Sequence, residues 1–253
     1  RDDGGHLERA ALVDAAAAAA QSGDVRSALA FYQRAQMPRA LSRILAGHGV
    51  ALLDGGFADV VEEALVTLDR AGFDGGPAIM LLKALRDSYL VRFDSSEAWF
   101  QLGIAAADDD DLRLRIVHRY SLDLLRRGRV DAIDVLETAI ASAPSEHAFQ
   151  PLLGATLATA YALVDRLNDA RVSIASAMSR LSPDLPAALR TRAFHQAAYV
   201  ALRCADLPEA RRYAERVLDV AVPNGFYDLA ARAHSILYEI EHAWEANPEH
   251  ALA

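Results

Sequence analysis

One short phrase returns along this chain and restricts its fold more than any other feature. It reads Gly23-Asp24-Val25-Arg26-Ser27-Ala28, then Gly56-Phe57-Ala58-Asp59-Val60-Val61, then Gly128-Arg129-Val130-Asp131-Ala132-Ile133. Arg166-Leu167-Asn168-Asp169-Ala170 and Asp206-Leu207-Pro208-Glu209-Ala210 are weaker versions. Each is a tight turn followed by a small or slender residue, which lets one helix press closely on the one before it. Between the turns, apolar residues recur at three and four, as in Leu112, Ile116, Tyr120 and Leu124, the spacing of an amphipathic helix. Glycine and proline fall between these stretches, where they end and start helices. Alternating β patterns with hairpin turns are absent, so the sequence predicts an all-α fold.

Taking Ala28, Val61, Ala98, Ile133, Ala170 and Ala210 as equivalent gives steps of 33, 37, 35, 37 and 40 residues. This pattern resembles the tetratricopeptide repeat. Ala28, Tyr32 and Ala35 in the first unit match its small and aromatic positions, as do Leu157, Ala158 and Tyr161 in the fifth. The resemblance implies a right-handed superhelical solenoid of about six to seven antiparallel helix pairs, with first helices lining a concave surface. No pair in such an array buries its apolar face alone, so neighbours must stack.

The 253 residues are 53% hydrophobic and carry a net charge of −9. That is too apolar for a disordered tail and too acidic overall for a duplex-binding surface. No stretch is long and apolar enough to span a membrane, and Arg1 to Gly5 does not open a signal peptide. One cysteine, Cys204, fits a reducing, cytoplasmic location. A chain that starts at Arg1 is expected to be a piece of a longer protein.

Residues 7 to 70 carry a closer likeness. Leu7, Ala10-Ala11, Gly23-Asp24, Ala28-Leu29, Ala40-Leu41, Gly49, Leu52-Leu53, Gly55-Gly56-Phe57, Leu65 and Leu68 resemble the helical arm of the large ATP-dependent, MalT-like LuxR-type transcription regulators. Gln36-Met37-Pro38 stands where that family often has a second glycine-acid turn, and no Trp lies near Leu65. The resemblance implies one helical-repeat domain over residues 1–253, with the arm at 7–70 and further repeats over 77–253. It implies a non-catalytic region that senses a small-molecule effector or a regulatory protein, with self-association open. ATPase and DNA-binding modules would lie elsewhere, so the segment itself would touch no nucleic acid. The alternative is a free-standing repeat scaffold that captures a peptide or helix of a protein partner.

Catalytic and metal signatures are missing. There is no phosphate loop, and Gly47-His48-Gly49 reads as a helix packing site. Asp108 to Asp111 reads as the cap of a helix starting near Leu112. The ligand-rich tail Glu241-His242 to Glu249-His250 fits no closed zinc site. No enzyme, cofactor or metal is expected.

One constellation points to binding. His118, His195 and His234 fall at the same place in the first helices of three repeats. His195, Tyr199 and Arg203 are spaced four and four, as are His234, Tyr238 and His242, so each set shares a helical face. Arg115 and Arg192 precede their histidines by three, and Lys83 and Asp87 would occupy the same face in the third repeat. A groove of this kind suits an anionic or hydroxyl-rich ligand. Otherwise these side chains bond between repeats or face water.

Overall fold

A computed structural model describes residues 3–246 of the chain. Thirteen α-helices and no strand occur among them. The chain divides into two compact units, Arg1–Ile116 and Val117–Ala253. The division falls within a helix.

In the first unit, α1 (Asp3–Gln21) packs on α2 (Val25–Arg34), α3 (Pro38–Asp54) on α4 (Ala58–Arg70), and α5 (Gly76–Tyr89) on α6 (Phe93–Ala106). Helix α7 (Asp110–Arg126) runs through the division. The second unit adds α8 (Ala132–Ser142), and α9 (Gln150–Leu163) packs on α10 (Leu167–Ser179). Helix α11 (Ala187–Arg203) packs on α12 (Leu207–Ala221), and α13 (Tyr227–Ala246) packs on both.

One backbone device makes every turn within a pair. An amide after the turn donates back to a carbonyl five residues earlier: Asp24 to Ala19, Phe57 to Leu52, Arg92 to Asp87, Arg129 to Leu124, Arg166 to Tyr161 and Asp206 to Ala201, all at 2.8–2.9 Å. This closure needs a left-handed residue just before the donor, usually glycine. Gly23, Gly56 and Gly128 supply it, but Val91, Asp165 and Ala205 adopt the same geometry with φ of 60°, 59° and 57°. Gln36 also does so, at φ 53°, between α2 and α3. The Gln36-Met37-Pro38 departure therefore leaves the turn geometry intact.

Val91 is β-branched, and a left-handed conformation costs an L-residue about 1–2 kcal/mol. It is also 68% exposed, so its side chain contributes little packing. Val91→Gly is expected to stabilise the protein by about 0.5–1 kcal/mol, after the extra chain entropy of glycine is offset. A higher urea midpoint checks this.

Buried positions in the second helices follow one pattern: a small or slender residue, then contacts four and seven residues later. Val61, Leu65 and Leu68 show it, as do Ala132, Leu136 and Ala139, and Ala210, Ala214 and Val217. In α6 the trio is Ser96, Phe100 and Gly103. The equivalent positions are thus Ala28, Val61, Ser96, Ala132, Ala170 and Ala210, with steps of 33, 35, 36, 38 and 40. Two sequence alignments are corrected here. Ala98 is exposed, and Ser96 takes the buried place, its hydroxyl donating to Ala84 O at 2.9 Å. Ile133 gives way to Ala132 because an extra turn at Val130-Asp131 starts α8 later, and Ala132 is fully buried.

Ala28 and Ala170 are fully buried, as that role requires. Ala170→Leu is expected to destabilise by about 1–3 kcal/mol, because a larger side chain at a close helix contact forces the backbone to shift. Thermal unfolding of the variant checks it. At Gly49 a Cβ would lie 2.5 Å from Leu82 Cδ1, so α3 and α5 approach closely there, whereas Gly47 faces open space.

In the second unit Phe194, Ala198, Ala210, Val217, Ala233 and Ile240 form one apolar cluster joining α11, α12 and α13. Cys204 is a buried free thiol that ends α11, its Sγ 3.8 Å from Leu167 O at the start of α10.

Candidate functional site

Residues four apart on a helix share a face, and the column of first-helix residues rests on that fact. Its members have different surroundings. Arg115 is exposed on α7 and pairs with Asp111 at 2.7 Å. Asp109 caps the same helix, accepting from the amides of Asp111 at 3.2 Å and Leu112 at 3.1 Å. The acidic run is thereby used in capping and in pairing with arginines.

His118 is shut away from any groove. It is 2% exposed, lies edge-on to the Phe149 ring at 6.3 Å, and has a buried Nε2 with no hydrogen-bond partner. Burial, reinforced by the charges of Arg119 and Arg192, pushes its pKa down to about 3. A neutral, enclosed imidazole cannot meet a ligand at the surface.

His195 is half-buried on α11. Burial pushes its pKa down to about 4; the charges of Arg232 and Arg192 act the same way, and Asp228 opposes them. Arg232 is bound to Asp228 at 3.0 Å on α13. Burial therefore leads the shift, with two arginines and one aspartate of α11 and α13 acting on the same histidine in opposite directions.

Tyr199 and Arg203 are brought together, with Arg203 Nη1 donating to Tyr199 Oη at 3.3 Å. Arg203 Nη2 also donates to Asp165 Oδ1 at 2.7 Å. That bond joins the end of α11 to the turn between α9 and α10, so Arg203 holds neighbouring helix pairs together. His234 is exposed on α13, and Tyr238, 63% exposed, stands edge-on to His242 with ring centroids 4.2 Å apart. Glu249 and His250 of the ligand-rich tail lie outside the described residues, and no metal-sized group of ligand side chains occurs among the described ones.

Lys83 and Asp87 do not belong to the column. Both are buried, at 7% and 1% exposure. Lys83 Nζ meets Asp69 at 2.6 Å and lies 4.7 Å over the Trp99 ring. Asp87 accepts from Arg86 Nε at 2.8 Å and from the Ser95 hydroxyl. They form a polar network among α4, α5 and α6, because α5 is covered on both sides where these residues lie.

Sequence reasoning missed a second constellation, Arg190 and Phe194 on α11 facing Tyr213 and Arg216 on α12. The available signal was two arginine–aromatic pairs at helical spacing on consecutive helices.

These features define a helical-repeat protein that presents exposed aromatic and histidine side chains on α13. No protein-family model matches the chain, and no curated protein matches it. Among solved structures, the crystal structure of PilW, described as a widely conserved type IV pilus biogenesis factor, is similar with a TM-score of 0.53. The identity is 15%, and the match covers 83% of this chain and 96% of that one. The likeness is one of fold. No helix among the described residues is long and apolar enough to cross a membrane.

Proposed function

We propose that this chain is a non-catalytic helical-repeat scaffold that binds a segment of a protein partner along α11 and α13. The observation that carries this is the strip on α13. His234, Tyr238 and His242 recur every four residues on an exposed face, beside the Arg232–Asp228 pair of the same helix. Exposed aromatics beside arginines are the residue types that dominate protein interfaces. The repeat fold shared with PilW supports a scaffold. Site-directed photo-crosslinking in the parent organism tests the reading. A crosslinker at Tyr238 should trap a discrete protein, and one at Val172, equally exposed on the second helix α10, should not. Trapping from Val172 alone would overturn it.

A second reading, the sensor region of a MalT-like LuxR-type regulator working in the cytoplasm, is favoured by one observation. Gln36 keeps the left-handed turn between α2 and α3 where the arm of that family often has a glycine. The parent coding sequence decides it: flanking nucleotide-binding and helix-turn-helix modules support the sensor, and other neighbours remove it.

A further inference from the structure

We infer that the cleft enclosed by the end of α10, by α11 and by α12 binds a small organic carboxylate. It lies apart from the proposed partner strip and does not depend on it. The cleft holds about 150 Å³. A cavity of that size takes a molecule as large as benzene. Its walls are Met178, Leu181, Phe194 and Tyr213, with the last two rings stacked at 6.4 Å and 21°. Ser182, Pro183, Arg190 and Arg216 complete it, and no Asp or Glu lines it.

The two guanidinium groups differ in setting. Arg216 lies 4.2 Å over the Phe194 ring, at the exposed rim. Arg190 points inward, and its Nε is buried with no hydrogen-bond acceptor among the described residues. Neither arginine forms an ion pair among those residues. A buried charged donor without an acceptor is costly, and such groups are normally satisfied by a partner or an ordered water. Several other arginines are neutralised locally, as Arg212 is by Glu209 on the same helix.

A carboxylate entering the cleft would meet the Arg190 guanidinium where it lines the wall while Arg216 adds a second positive charge, a charge-assisted arrangement suited to guanidinium. The four apolar and aromatic walls would cover a hydrocarbon body attached to that carboxylate. Inorganic phosphate would satisfy the arginines but leave those walls uncovered, so the lining favours the organic anion.

Calorimetric titration of the whole chain with benzoate and, separately, with inorganic phosphate at fixed ionic strength tests the assignment. Benzoate should bind one-to-one and about tenfold or more tighter than phosphate. Arg190→Gln should weaken it by about tenfold, the loss of one charge-assisted hydrogen bond. Arg70→Gln, exposed on α4, should leave it unchanged. If Arg190→Gln fails to fold, Arg216→Gln at the exposed rim takes its place, with a loss of several-fold expected. Failure of benzoate to bind at millimolar concentration would overturn the assignment. So would equal affinity for phosphate, or binding indifferent to both arginines.

Discussion

Lowering the pH from 6.5 to 4.5 is expected to remove about 3–5 kcal/mol of stability from the second unit, before most carboxylates protonate. The sign follows from two histidines. His118 and His195 have pKa values of about 3 and about 4 in the folded protein, against an ordinary value of 6.5. The unfolded chain therefore binds protons that the folded one refuses. Stability is complete above pH 6.5 and falls as the pH drops, until His195 charges near 4 and His118 near 3. Each histidine contributes a slope of about 1.4 kcal/mol per pH unit within its window. The groups that act on them are Arg119 and Arg192 for His118, and Arg232, Arg192 and Asp228 for His195. His118→Leu removes one titrating group and an unpartnered buried nitrogen, so it should roughly halve the slope of urea-derived stability against pH. An unchanged slope would mean that the imidazole is not enclosed as described.

Asp87→Ala is expected to cost about 3–5 kcal/mol, the usual penalty for removing one member of a buried ion pair. The Asp87 side chain is 2% exposed and that of Arg86 15%. Burial alone would lower the Arg86 pKa, but the hydrogen bond and charge of Asp87, with the charges of Glu62 and Asp69, together hold it above its ordinary value. Without Asp87, Arg86 keeps only Glu62, at 3.4 Å and 41% exposed, and Ser95 loses its acceptor. Asp87→Asn retains an acceptor for Ser95 and should cost less than Asp87→Ala. Equal losses in the two variants would show that packing, not charge, holds this place.

Much of the fold is legible in the sequence because the turns are marked. Gly23, Gly56 and Gly128 announce the left-handed position, and Asp24 and Asp206 cap the helices that follow, accepting from Ser27 and Glu209. The third repeat has no such mark. Val91 takes the left-handed position against its own preference, so the alignment slipped by two residues and placed Ala98 where Ser96 lies.

The candidate site is less legible, because spacing fixes a face of a helix but not what covers it. His118 and His195 share a column position, yet Phe149 encloses one and α13 only partly covers the other. Lys83 and Asp87 share the column's helical spacing, but their partners Asp69 and Ser95 lie on other helices, 14 and 8 residues away. Arg190 and Arg216 escaped notice for the same reason: the cleft exists only once α11 and α12 have packed.

Hydrogen exchange of the whole chain, free and bound to the protein trapped through Tyr238, tests the central claim most directly. The account predicts that binding slows exchange in α11 and α13 and leaves α10 and α12 unchanged. Protection confined to α10 and α12 would contradict it, because the partner would then lie on the second helices and the His234–Tyr238–His242 strip would have no part in binding.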